Sequence, residues 1–124
     1  MSEFTEHKAI ANYLKLQYPK TIFTSDSSGI RLSIGNAKKM LSLKASYKIP
    51  DLIILQPNDH YCGLIIEIKA KDKSPFLKDG SLSKSNHVQQ QNNTLQMLND
   101  YGYKAVFGVG FEDCINIIDN YFNN

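Results

Sequence analysis

The distribution of apolar and polar positions along the chain predicts an alternation of helices and strands. Helical periodicity predicts three amphipathic helices, at residues 2–18, 86–101 and 111–122. Short apolar or alternating runs predict strands at residues 21–25, 51–55, 64–70 and 104–110. Residues 29–35 also alternate and predict a further strand or hairpin arm, whereas residues 36–48 are ambiguous, with a short helix at 38–43 as one interpretation. This order of elements is typical of a small layered α/β structure.

Residues at the ends of the predicted helices support two of these assignments. Ser2 can cap the first helix. Either Ser85 or Asn86 can cap the second, and Gly102 can end it. Residues 71–85 are rich in Lys, Ser, Asp and Gly, so they predict a loop between the last two strands.

Three charged residues lie in or beside two predicted strands, where side chains are normally buried. Side chains alternate faces along a strand, so Glu67 and Lys69 project together from one face. If the strands at 51–55 and 64–70 form a hairpin, Asp51 lies at the same end of the sheet. One interpretation is a Glu67–Lys69 ion pair, with Asp51 capping the start of its strand. The other is a site for a hard cation such as Mg²⁺, with the lysine holding a water or neutralising a phosphate.

A glutamine on the apolar stripe of the second predicted helix gives an independent indication. Gln91 lies three positions after Val88 and four before Leu95, so it shares their inward face. Gln89 and Gln90 point elsewhere. A buried amide needs a polar partner, which the carboxylates could supply. The alternative is a boundary glutamine near the start of the helix.

Other side chains could supply ligands from the helices. Glu3 and Glu6 both fall at the edge of the inward face of the first helix, so either acid could join the site. His87 could approach Gln91, although its position predicts the exposed first turn of its helix. The histidines as a set have no zinc-ligand spacing: His7, His60 and His87.

Composition limits the class of protein. The chain has 124 residues, 42% hydrophobic and 21% charged, which predicts one globular domain over residues 1–124. We expect no signal peptide and no membrane association, since no apolar run approaches the ~20 residues that span a bilayer. Two cysteines, Cys62 and Cys114, do not form a disulfide framework, so we interpret them as reduced and the protein as cytoplasmic.

The net charge of +2 is small, but its distribution is uneven. A segment of the chain carries five basic residues and no acid: Arg31, Lys38, Lys39, Lys44 and Lys48. This pattern predicts contact with a polyanion such as DNA. A solvated face is the alternative, and it is the commoner explanation of a charge run.

Taken together, these motifs resemble the PD-(D/E)xK nuclease superfamily, and in particular its small VRR-NUC branch, often encoded by phages. The matching residues are Pro50-Asp51, the triplet Glu67-Ile68-Lys69, and Gln91 of "HVQQQNNTL". The stretches "FTSDSSGIRLSIGNAKK", "GYKAVFGVGF" and "IDNYF" also resemble that branch, so the similarity extends over nearly the whole chain. One departure is Lys48, which stands where the branch usually has a glycine.

The resemblance implies a restriction-endonuclease-like αβββαβ core with a central mixed sheet, flanking helices and a C-terminal helix. It implies that Asp51, Glu67 and the Ile68 carbonyl hold Mg²⁺ or Mn²⁺. Lys69 would position the attacking water and Gln91 would orient that water or Lys69. Glu3, with Glu6 as second choice, would complete the site.

The reaction implied is hydrolysis of DNA phosphodiester bonds by a metal-dependent endonuclease. Because no sequence-reading module is evident, we expect selectivity for DNA shape, as in four-way junctions, and a homodimer that makes paired nicks. The dimer surface would be the apolar face of the last helix (Ile115, Ile118, Phe122) or the strand at 30–34. The expected location is the cytoplasm of a bacterium or phage-infected host. The alternative function is a non-cleaving DNA-binding or assembly subunit with the same fold.

Overall fold

The computed structural model describes residues 3–26 and 32–124, which form a four-stranded sheet with helices on both faces. The helices are α1 (Glu3–Gln17), α2 (Ile34–Ser42), α3 (Asn86–Asp100) and α4 (Phe111–Phe122). The strands are β1 (Phe23–Ser25), β2 (Leu52–Ile54), β3 (Leu64–Lys69) and β4 (Lys104–Val109). A 3₁₀ turn at Lys71–Lys73 follows β3. This is a restriction-endonuclease-like α/β arrangement, with α2 inserted between the first two strands of the expected αβββαβ core.

The strand order in the sheet is β1-β2-β3-β4. The first two pairs are antiparallel, and β4 lies parallel to β3, joined through α3. Leu52 pairs with Ile66, and the residues that precede β2 therefore run alongside the C-terminal half of β3. The predicted hairpin and its polar end are thus both present.

The alternation of side chains along β3 divides the core into two layers. One face supplies Leu64, Ile66 and Ile68, which pack against α1 and α4. Ile65 lies on the other face, in a cluster with Leu95 of α3 and with two residues of β4. The sheet therefore buries both faces, and a polar side chain on β3 must find a partner within the protein.

The segment between β1 and β2 differs from the expectation. Ile34 and Gly35 belong to a helix, so the strand predicted at 29–35 is wrong there; residues 29–31 lie outside the described residues, as does the proposed cap Ser2. The physical reason is Ser33, whose hydroxyl accepts a hydrogen bond from the backbone N–H of Asn36 and starts α2. The short helix considered at 38–43 is confirmed in position, but begins earlier.

The closing helix is not available as a dimer surface. Ile118 is fully buried, and Ile115 and Phe122 pack against the same cluster as α1 and β3. The expectation that this apolar face is free is wrong, because α4 needs it to cover β3 and β4.

Other expectations at the chain level have clear outcomes. None of the helices in residues 3–26 and 32–124 is long and apolar enough to cross a bilayer. Both cysteines are free thiols, Cys62 exposed and Cys114 buried. Ser85, rather than Asn86, caps α3, since its hydroxyl accepts from the backbone N–H of Val88.

Candidate active site

The hairpin of β2 and β3 brings two carboxylates together in the interior. Asp51 and Glu67 are only 2% and 4% exposed. One oxygen of Asp51 accepts a hydrogen bond of 3.0 Å from the backbone N–H of Ile68, so the aspartate is tied across the hairpin to β3. This contact differs from a simple cap of β2, because it fixes Asp51 beside the residues that flank Ile68.

The electrostatics of this pair are unfavourable without a partner. Burial, and then the nearby Asp51 charge, raise the pKa of Glu67 to about 7. Burial likewise raises the pKa of Asp51, although the nearby His7, the hydrogen bond from the Ile68 backbone and the Lys48 charge oppose the shift. Two buried like charges stabilise a bound cation, since the cation replaces the water that each carboxylate has lost.

Gln91 reaches the pair from α3. Its side-chain N–H donates to a Glu67 oxygen at 2.7 Å, and its nitrogen lies 3.2 Å from the Nε2 atom of His87. The Gln91 amide oxygen is buried and has no hydrogen-bond partner among the described residues. Gln91 therefore has the orientation expected from helical phase, and its amide oxygen is available to accept a hydrogen bond. Gln89 instead bonds the carbonyl of Ser83, and Gln90 is exposed.

Lys69 and Gln91 share one open cleft of about 520 Å³. Its lining is strongly charged and includes Glu3, Lys48, Glu67, Lys69, Lys73 and His87. The Glu67–Lys69 ion pair considered from the sequence is not among the ion pairs of the described residues. The lysine ammonium is thus available to a ligand in the cleft.

The start of α1 lies beside the same cleft. Glu3 lines the cleft and is exposed, whereas Glu6 is buried. Glu3, His7 and Asp51 each offer a ligand atom within 4.8 Å of the others. Glu3, the first choice among the helix acids, therefore lies beside the carboxylate pair.

Sequence reasoning missed His7. Spacing along the chain does not mark His7 as a ligand, because Asp51, which lies near it, is distant in sequence and immediately precedes β2. The available signal was the separation of four residues from Glu3, which places both side chains on one face of a helix.

The residues predicted to bind nucleic acid lie in different surroundings. Lys48 lines the cleft, and Lys38 and Lys39 are exposed on α2. Lys44 instead forms an ion pair of 3.3 Å with Asp26, the residue that follows β1. Arg31 lies outside the described residues.

Comparison with solved structures gives a match to the fold. A structure described as "VRR_NUC domain protein" superposes with a TM-score of 0.71 and 24% sequence identity, covering 99% of this chain and 89% of that one. This chain has the VRR-NUC fold. No protein-family model matches the sequence, and no curated protein matches it.

Lys48, which stands where the resembled branch usually has a glycine, lines the cleft. Its charge lowers the pKa of both Asp51 and Glu67, against the larger effect of burial. The side chain therefore adds positive potential to the cleft.

The donor set of this cleft fits a divalent metal ion. Oxygen donors from two buried carboxylates suit Mg²⁺ and Mn²⁺, and the pKa of Glu67 is raised chiefly because burial removes water from its charge. The residues that would hold the ion are Asp51, Glu67 and the carbonyl of Ile68, with Glu3 alongside.

Proposed function

We propose that this chain is a metal-dependent endonuclease that hydrolyses DNA phosphodiester bonds. The observation that supports this most strongly is that Glu67, Lys69 and Gln91 line one charged, open cleft. Asp51 is held beside them by its hydrogen bond from the backbone N–H of Ile68. A structural ion pair would not need Gln91, nor would it leave the ammonium of Lys69 facing the cleft. The likeness to a VRR_NUC domain protein adds support at the level of fold.

Bound Mg²⁺ or Mn²⁺ would activate a water and neutralise charge on the phosphate. Asp51 and Glu67 would bind the ion through carboxylate oxygens, and the hydrogen bonds from Ile68 and Gln91 would fix the orientation of each carboxylate. Lys69 holds the attacking water and offsets negative charge that develops on the phosphate in the transition state. The free amide oxygen of Gln91 accepts a hydrogen bond from that water or from Lys69.

Gln91 and Gln90 provide a matched pair of substitutions. Gln91→Ala should lower cleavage about 10- to 100-fold, because it removes the hydrogen bond that orients Glu67. Gln90→Ala, on the exposed side of the same helix turn, should leave the rate within about twofold of wild type, since such a surface change rarely matters. Single-turnover cleavage rates compare the two. Equal rates for both variants would remove Gln91 from the mechanism.

We propose that Lys48, which lines the cleft, and Lys38, which is exposed on α2, contact DNA phosphates. Replacing Lys38 and Lys48 together with glutamine should weaken binding to every DNA sequence alike and flatten the salt dependence by about two phosphate contacts. The measurement is the affinity in Ca²⁺, which should neutralise the carboxylates without supporting cleavage.

The control for this charge change is Lys15→Gln with Lys20→Gln. Lys15 lies near the end of α1 remote from Glu3, so the same loss of charge should leave the salt slope unchanged. If both double variants gave the wild-type slope, Lys38 and Lys48 would belong to the solvated surface.

We further propose that the chain acts as a homodimer on branched DNA such as four-way junctions. The exposed apolar side chains of the α2 region are suited to a second copy: Ile34 (78% exposed), Leu41 (70%) and Leu43 (81%). Two active sites related by a two-fold axis suit paired nicks in a symmetric junction. Light scattering should give a dimer, and junctions should be nicked faster than linear duplex in Mg²⁺. A monomer that cuts both DNAs equally would refute the dimer and the shape selectivity, and would leave the nuclease proposal standing.

A further inference from the structure

His7 is buried without a hydrogen bond for its Nε2 atom. The residue is 5% exposed, and Nε2 has no hydrogen-bond partner among residues 3–26 and 32–124. Glu3 has a carboxylate oxygen 3.9 Å away, which is too long for a hydrogen bond. Leaving a buried polar nitrogen unpaired costs about 1–3 kcal/mol, so this position calls for a ligand that the protein atoms do not supply.

The atoms around His7 are arranged for a cation. Ligand atoms of Glu3, His7 and Asp51 lie within 4.8 Å of one another. Three equally spaced ligand atoms bonded to one ion at about 2.1 Å are at most about 3.6 Å apart. Shifts of less than about 1 Å in each ligand atom would bring all three onto one ion. The exposed Glu3 side chain can supply most of this movement.

The structure assigns a further metal ligand to this cleft. We propose that Glu3, His7 and Asp51 form a cation-binding corner that prefers a first-row transition-metal ion such as Mn²⁺ to Mg²⁺. The inference rests on the proposed function, because Asp51 is shared with the carboxylate pair. The imidazole carries the selectivity, since Mg²⁺ takes oxygen ligands whereas transition-metal ions also accept ring nitrogens.

The experiment is a calorimetric titration of the whole chain with Mn²⁺ and with Mg²⁺, in the absence of DNA. His7→Gln keeps a polar side chain at the buried position but removes the ring nitrogen. We expect it to weaken Mn²⁺ binding about tenfold or more and to change Mg²⁺ binding little. The control is His60→Gln at an exposed turn, which should change neither affinity.

A second variant covers the case in which His7→Gln impairs folding. Glu3→Gln changes an exposed side chain, and it should weaken the binding of both ions because it removes a carboxylate common to either. Wild-type Mn²⁺ affinity in folded His7→Gln, or in Glu3→Gln, would overturn the corner while leaving the nuclease proposal intact. A wild-type chain that bound neither ion would overturn both.

Discussion

Replacing Lys69 with alanine should lower the rate of DNA cleavage at least about 100-fold, the scale of losing one electrostatic donor to a transition state. The physical reason is that Lys69 lines the cleft beside Glu67, where under the proposed mechanism it would hold the water and offset charge on the phosphate. The chain should still fold, since the apolar face of β3 is unchanged. Single-turnover cleavage measures the rate, and circular dichroism checks the fold.

Lys73→Ala is the matched control for this substitution. Lys73 lines the same cleft but lies on the exposed 3₁₀ turn after β3. It therefore adds positive charge to the cleft but does not project from β3 beside Glu67. Its removal should weaken DNA binding and leave the single-turnover rate at saturating enzyme near that of wild type. Near wild-type cleavage by Lys69→Ala would contradict the mechanism.

Adding one methyl group at Gly108 should destabilise the chain by about 1–3 kcal/mol, the usual cost of overpacking a core. A Cβ at this position of β4 would lie 2.5 Å from the sulfur of Cys114 and 2.8 Å from Cγ2 of Ile66. Both neighbours are fully buried, so neither can move without shifting α4 or β3. Urea denaturation of Gly108→Ala measures the change in the free energy of unfolding.

Two further variants separate this close approach from a general effect of replacing glycine. Gly35→Ala places a methyl group on α2 with nothing within 4 Å, and should stabilise by roughly 0.5–1 kcal/mol. Cys114→Ala in the Gly108→Ala background removes the sulfur, so the two changes together should cost less than their sum. Strict additivity, or an unchanged stability of Gly108→Ala, would mean that α4 does not pack against β4 in this way.

The polar end of the hairpin could be predicted from sequence because alternation along a strand is a local property. Glu67 and Lys69 follow from their spacing in β3, and Asp51 follows once β2 is paired with β3 through a short turn. Gln91 follows from helical phase in the same local manner. Their catalytic roles stay predictions that the substitutions above address.

Two features were not predicted from the sequence. The start of α2 is set by the cap at Ser33, whereas the alternation of residues 29–35 favoured a strand, and none of the residues of α2 is buried. His7 becomes a candidate ligand only because Asp51 lies near it, and Asp51 is brought beside α1 only when β2 enters the sheet. The dimer surface expected on α4 failed for a related reason, since amphipathicity alone does not tell a core-facing stripe from a subunit interface.

The most direct test of the central claim is the rate at which the wild-type chain and Glu67→Gln nick a labelled four-way junction, in Mg²⁺ or Mn²⁺ and in EDTA. Glu67→Gln keeps the size of the side chain and removes the charge that would bind the ion. The account predicts nicking by the wild type in either ion, none in EDTA, and at least about 100-fold slower nicking by the variant, with DNA binding in Ca²⁺ retained. Equal cleavage in EDTA, or a wild-type chain that binds the junction but does not cut it in either ion, would contradict it.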